Sequence, residues 1–245
     1  DSSNLHTSNF ELEDGNDIVN ANAGLGYAHL EGRGGDDVFN ILGGSNGNSS
    51  IYLIGGLGND QFILGGDFKG SETYSRVVIY GGEGDDTIDL SKAAALGKVD
   101  DQVKINAGRG NDYIIGNDEA NIVGGEEGSD VINGGGGNDV IYGDYVWGVS
   151  EENDESINTA VFSGTSADYA VSRASDTDFG YVYYIQDERD GSPDGLDTLY
   201  DIDLLRFSDG DAGIPIEKPS FVEQTLNLGY IDSAFSDILE ASSYG

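Results

Sequence analysis

The 245-residue chain carries 46 acidic against 11 basic side chains, a net charge of −35, with 39 glycines and no cysteine or methionine. That balance argues against nucleic acid and anionic membrane as partners, because the surface would repel phosphate, and the missing thiols exclude disulfides and thiolate metal sites. Low hydrophobicity with high net charge fits a disordered chain, yet the apolar residues fall in β-rich clusters, so something cationic is expected to offset the charge.

Residues 1–11 read as an N-terminal extension. No basic-plus-apolar leader and no apolar run near 18 residues is present, so no membrane span is expected. Because the chain opens on Asp1 and holds no Met, it is expected to be processed or excised from something longer.

From residue 12 a pattern recurs: Gly, any residue, Asp, then an apolar residue two further on. It appears in "EDGNDIV" (Asp17), "GRGGDDVF" (Asp37), "GGLGNDQF" (Asp60) and "GGEGDDTI" (Asp86), then "AGRGNDYI" (Asp112), "EGSDVI" (Asp130) and "GGGGNDVI" (Asp139). Successive aspartates are 20, 23, 26, 26, 18 and 9 residues apart. Two nine-residue units make 18, so the longer intervals read as one two-turn coil plus insertions. One edge then keeps a regular turn throughout and holds Asp17, Asp37, Asp60, Asp86, Asp112 and Asp130. The opposite edge carries the insertions and ends on Asp139.

Each turn is followed by a short apolar run, such as Phe62-Ile63-Leu64 or Tyr113-Ile114-Ile115, and others lie between, such as Val77-Val78-Ile79-Tyr80. Such β-rich runs bounded by Gly, Asn and Asp read as strands. One coil cannot bury its apolar face alone, whereas stacked coils share a core. Glycine-rich turns can aim several carbonyl oxygens at one point, and the aspartate adds a charged oxygen. That donor set suits calcium, which takes six to eight oxygens at roughly 2.3–2.6 Å, better than magnesium, zinc or copper.

These residues resemble the RTX (repeats-in-toxin) family, whose nonapeptide is Gly-Gly-X-Gly-X-Asp-X-apolar-X. Residues 55–63, 81–89 and 134–142 match at every specified position. Residues 32–40 put Arg33, 107–115 put Ala107, and 125–133 put Glu126, in a glycine's place; 12–20 keeps only the later Gly and the Asp. The resemblance implies a right-handed parallel β-roll over 12–148, all-β, with calcium between successive turns. The implied carboxylate ligands are Asp17, Asp37, Asp60, Asp86, Asp112, Asp130 and Asp139. The implied turn backbone is Gly55, Gly58, Gly81, Gly84, Gly110, Gly128, Gly134 and Gly137. Six turns on the regular edge leave five gaps, hence about five calcium ions there.

Past residue 148 the repeats stop. Residues 149–212 read as a small β module that caps the open end of the roll, resembling modules found beside RTX repeats. Within it Asp187, Asp190, Asp194 and Asp197 either hold another calcium or form turns with a salt bridge to Arg189. The tail, 213–245, could be an amphipathic helix, a type I secretion signal or a segment that docks on a neighbouring subunit.

Nothing points to catalysis. "HExxH" is absent, "GGSNG" at 43–47 lacks the strand-to-helix setting of a nucleophile elbow, and His6 and His29 lack a triad context. The expected protein is a secreted or cell-surface, calcium-folded structural or adhesive protein of a Gram-negative-type bacterium. Its partners would be calcium and either another copy or a cell-surface or polysaccharide ligand. The alternatives are a building block of a surface layer or filament, and an accessory module of a larger secreted protease, lipase or polysaccharide epimerase.

Overall fold

The computed structural model describes residues 7–44, 50–67, 76–94, 103–144, 156–176 and 180–210. The chain winds as coils of two strands each. The first are β1 (Thr7–Glu11) with β2 (Ile18–Ala21), and β3 (Tyr27–Gly34) with β4 (Val38–Ile41). Next come β5 (Ser50–Leu57) with β6 (Gln61–Asp67), and β7 (Arg76–Glu83) with β8 (Thr87–Ala94). β9 (Val103–Arg109) with β10 (Tyr113–Ile115), and β11 (Asn121–Glu127) with β12 (Val131–Asn133), continue the stack. Then follow β13 (Val140–Tyr142) with β14 (Thr159–Val161), the pair β15 (Tyr169–Asp176) and β16 (Gly180–Asp187), and finally β17 (Leu196–Tyr200) with β18 (Leu204–Arg206).

Odd-numbered strands from β1 to β13, then β17, β16 and β15, form a 10-stranded sheet; even-numbered strands from β2 to β14, then β18, form an 8-stranded one. Neighbours within each coil stack are parallel. This is the expected all-β parallel roll. Among the described residues the only helical element is a 3₁₀ turn at Ser166–Asp168.

Strand alternation places every second side chain inside. One interior column runs Val19, Phe39, Phe62, Ile88, Ile114, Ile132, Ala160 and Leu205, one residue per coil. Facing it, Leu30, Leu53, Ile79, Ile105, Val123, Ile141 and Leu199 form a second column. Phe39 and Phe62 stack with ring centres 5.0 Å apart. In-register repetition therefore converts short apolar runs into one continuous core.

The turns demand glycine for a reason the columns make visible. Gly56, Gly82 and Gly108 are in register and have φ of 118°, 127° and 114°. A Cβ on Gly82 would run into the carbonyl of Gly56 in the coil before it. Arg33 and Glu126 occupy the same register column with φ of 75° and 81°.

Both sheets continue past residue 148. β14 pairs in parallel with β12, β17 with β13, and β18 with β14. The hairpin of β15 and β16 is inserted before β17 and pairs antiparallel to it, so it closes that end of the larger sheet. Phe162, Tyr169 and Phe207 close the core there, with ring centres 5.2 to 5.5 Å apart. At the other end, residues 7–11 of the extension pair with β3 as β1. The tail at 213–245, His6 and residues 45–47 of "GGSNG" lie outside the described residues; His29 sits on β3, half-buried beside Tyr52.

Candidate metal centre

Along the regular edge each aspartate is tied to its successor one coil on. The backbone N–H of Asp17 donates to Oδ1 of Asp37 at 2.8 Å, that of Asp37 to Asp60 at 2.8 Å, and that of Asp60 to Asp86 at 2.7 Å. The N–H of Asp86 then donates to Asp112 at 2.7 Å and that of Asp112 to Asp130 at 2.8 Å. The ladder runs on where no repeat was expected: the N–H of Asp130 donates to Oδ1 of Asn158 and that of Asn158 to Oδ2 of Asp203, each at 3.0 Å. The six aspartates assigned to one edge by spacing thus lie on one ladder, extended by Asn158 and Asp203. The signal for these two was only "x-N-x-A" and "x-D-x-L" without the glycines.

The second oxygen of each carboxylate behaves differently. Oδ2 of Asp37, Asp60, Asp86, Asp112, Asp130 and Asp139 is buried and accepts no hydrogen bond. Glycines make room for it: a Cβ on Gly32, Gly55, Gly81, Gly125 or Gly134 would overlap the Oδ2 five residues on. The same spot is approached by a carbonyl of the following coil, Gly55 O at Gly32, Gly81 O at Gly55, Ala107 O at Gly81 and Gly143 O at Gly125. Gly58, Gly84, Gly110, Gly128 and Gly137 shape the same turns with φ of 121°, 129°, 132°, 125° and 99°. Each gap is thus a cluster of oxygens without a donor. A buried acceptor left in this way is costly, and oxygen facing oxygen is what a hard cation requires. No three His, Asp or Glu side chains converge among the described residues, so most ligands must be backbone carbonyls.

The electrostatics agree. Burial is the main cause that pushes Asp60 and Asp112 up to about 6, Asp130 to about 7 and Asp86 to about 8; the ladder N–H opposes it and, for Asp60, Asp86 and Asp130, the neighbouring ladder aspartates add to it. Asp37 is raised for the same reason.

The opposite edge carries a shorter ladder. The N–H of Asn121 donates to Oδ1 of Asp139 and that of Asp139 to Oδ1 of Asp197, each at 2.8 Å. Burial pushes Asp139 up to about 7 and Asp197 to about 8. Asp197 belongs to this edge because "GLDTL", residues 195–199, repeats the Gly-x-Asp-x-apolar pattern. Its 58-residue distance from Asp139 hid the periodicity.

Asp187 and Asp194 are arranged otherwise. The Arg189 guanidinium lies 2.7 Å from Asp187 Oδ2 and 3.1 Å from Asp194 Oδ2. Asp194 also accepts from Ser163 and from the Tyr169 hydroxyl. Hydrogen bonds from Arg189 hold the Asp187 carboxyl down at about 2. Of the two readings of this loop, the geometry matches turns closed by a salt bridge: a guanidinium fills the space between the two carboxylates. Asp190 follows in the loop and is exposed.

A coiled stack of parallel strands with oxygen-lined, glycine-shaped gaps defines the class as a metal-binding β-roll. The family model described as the RTX calcium-binding nonapeptide repeat matches residues 76–92, 104–132 and 115–144, in 4 copies. Residues 76–92 and 104–144 of this chain are thus RTX calcium-binding repeats. Comparison with curated proteins and with solved structures found no match.

Proposed function

We propose that this protein is an extracellular scaffold whose folding is switched on by calcium, serving as a structural or adhesive surface protein of a bacterium. The observation that carries the reading is the row of buried Oδ2 atoms without a donor. On the regular edge the oxygens fit calcium between the turns of Asp37 and Asp60, Asp60 and Asp86, Asp86 and Asp112, Asp112 and Asp130, and Asp130 and Asn158. On the opposite edge they fit it between Asp139 and Asp197. The Asp17 turn, which lacks the first glycines, is the weakest of the set.

Bound calcium supplies the positive charge that stacked carboxylates lack. The chain's own part is to bring the carboxylate of one coil against the carbonyl of the next, which only the wound roll does. In a calcium-poor cytosol, net charge −35 and glycine entropy oppose winding. At extracellular calcium of about 10⁻⁴–10⁻³ M, sites of the weaker kind fill and stabilise the fold by mass action. RTX repeats are typical of secreted bacterial proteins, and among the described residues no helix is long and apolar enough to cross a membrane. The reading assigns no reaction to the chain.

Circular dichroism during a calcium titration tests the folding switch: the β signal should appear with calcium and vanish with EGTA, and a full signal in EGTA would refute it. Sizing the particle in both conditions separates a monomeric scaffold from a calcium-dependent polymer.

A further inference from the structure

Two ladder positions hold asparagine rather than aspartate, and at both the side-chain nitrogen stands where the other coils leave an orphaned oxygen. Asn121 occupies the place in the turn of Gly116 that Asp139 occupies in the turn of Gly134, five residues on. Its Nδ2 faces a ring of oxygens: Glu119 O, Gly134 O at 3.3 Å, Asp139 Oδ1 at 3.3 Å and Asn117 O at 3.4 Å. These come from its own turn and from the next coil, the same two sources that surround an Oδ2 elsewhere. Asn121 is fully buried. The Oδ1 of Asn121 is itself buried without a donor; Asn158, the asparagine on the regular edge, differs in this. Its Oδ1 keeps the ladder bond from Asp130, while its Nδ2 donates to Asp144 Oδ1 at 2.5 Å, and a Cβ on Gly143 would meet that Nδ2 and the carbonyl of Asp201 in the next coil.

We propose that Asn121 and Asn158 close their gaps with an amide in place of a metal ion, so that the gap between the turns of Asn121 and Asp139 and that between Asn158 and Asp203 hold no calcium. The inference rests on the calcium reading of the aspartate gaps. A neutral amide brings two donors to oxygens that would otherwise need a cation, and it adds no charge to a chain already strongly acidic. With the amide turned over, Oδ1 of Asn121 would face four oxygens and would need a cation between them. The two orientations therefore predict different metal counts.

The test is calcium stoichiometry by equilibrium dialysis on the full chain as wild type, Asn121→Asp, Asn121→Ala and Asn158→Asp. Each aspartate variant should bind one ion more than wild type, and Asn121→Ala should bind the same number as wild type. An unchanged count in the aspartate variants, or the loss of one ion in Asn121→Ala, overturns the proposal. Should a variant fail to fold, nuclear Overhauser contacts in the calcium-saturated wild type decide: Asn121 side-chain amide protons beside the Gly134 α-protons support the amide closure, and their absence refutes it. A wild-type chain that bound no calcium would instead refute the calcium reading, while the same proton contacts would still report on Asn121.

Discussion

The backbone N–H of Asp60 donates to Oδ1 of Asp86 across 2.7 Å, although 26 residues separate them. The bond uses one carboxylate oxygen to hold two coils in register and leaves the other turned into the gap. One side chain therefore joins coil stacking to metal binding, and several tests of the roll follow from that double use.

Replacing Asp86 with Asn should have opposite effects with and without calcium. In calcium the variant should lose one ion and, at 100-fold excess over the dissociation constant, about 3 kcal/mol of stability. In chelator it should retain more β signal than wild type, because a carboxyl pushed up to about 8 is no longer buried. Urea midpoints in calcium and circular dichroism in chelator check this; a loss in both conditions would contradict the role of Oδ2.

The metal-free roll should prefer acid. Asp60, Asp112, Asp130, Asp139, Asp86 and Asp197 are raised from 3.8 to between about 6 and about 8 when folded. The fold then binds more protons than the unfolded chain across that window, so its stability falls as pH rises from about 4 to about 8. In saturating calcium the slope should reverse, since protons compete for the same oxygens. Equal β signal in EGTA at the two ends of the window would refute the burial of these groups.

Gly15 and Gly82 separate backbone strain from crowding. Their φ values are 131° and 127°, but a Cβ on Gly15 meets nothing within 4 Å whereas one on Gly82 strikes the Gly56 carbonyl. Gly15→Ala should cost about 1–2 kcal/mol, and Gly82→Ala well beyond that. Equal losses in calcium-saturated denaturation would show that coil spacing adapts.

Phe62 is fully buried against Phe39. Truncation to Ala should cost about 3–5 kcal/mol with the denaturant slope unchanged. A loss below about 1 kcal/mol would mean the neighbouring coils collapse into the space.

Arg189→Met should destabilise the protein by roughly 3 kcal/mol, because Asp187 and Asp194 then lose their cation while buried. Millimolar calcium that restored the loss fully would show that the loop accepts either cation; persistence of the loss is expected.

Much of this arrangement was legible in the residue order, for a physical reason. A turn that needs left-handed backbone and close approach admits glycine, and a repeated gap of oxygens needs an aspartate at one phase. Gly55, Gly58, Asp60 and Phe62 therefore announce turn, ligand and core together. Spacing alone assigned Asp17 through Asp130 to one edge and Asp139 to the other. Asn158, Asp203 and Asp197 were harder to place on the ladders, because insertions broke the period and the glycine signal had faded.

The amino-acid sequence by itself thus determined the coil, its donor chemistry and its need for a cation, since these follow from local geometry and charge. What closes each gap was decided only by the tertiary structure. The contents of a gap depend on what the neighbouring coil presents: an orphaned Oδ2 at Asp86, an amide at Asn121 and a guanidinium at Arg189 come to similar oxygen-rich settings from sequence contexts that look alike only after the chain has wound.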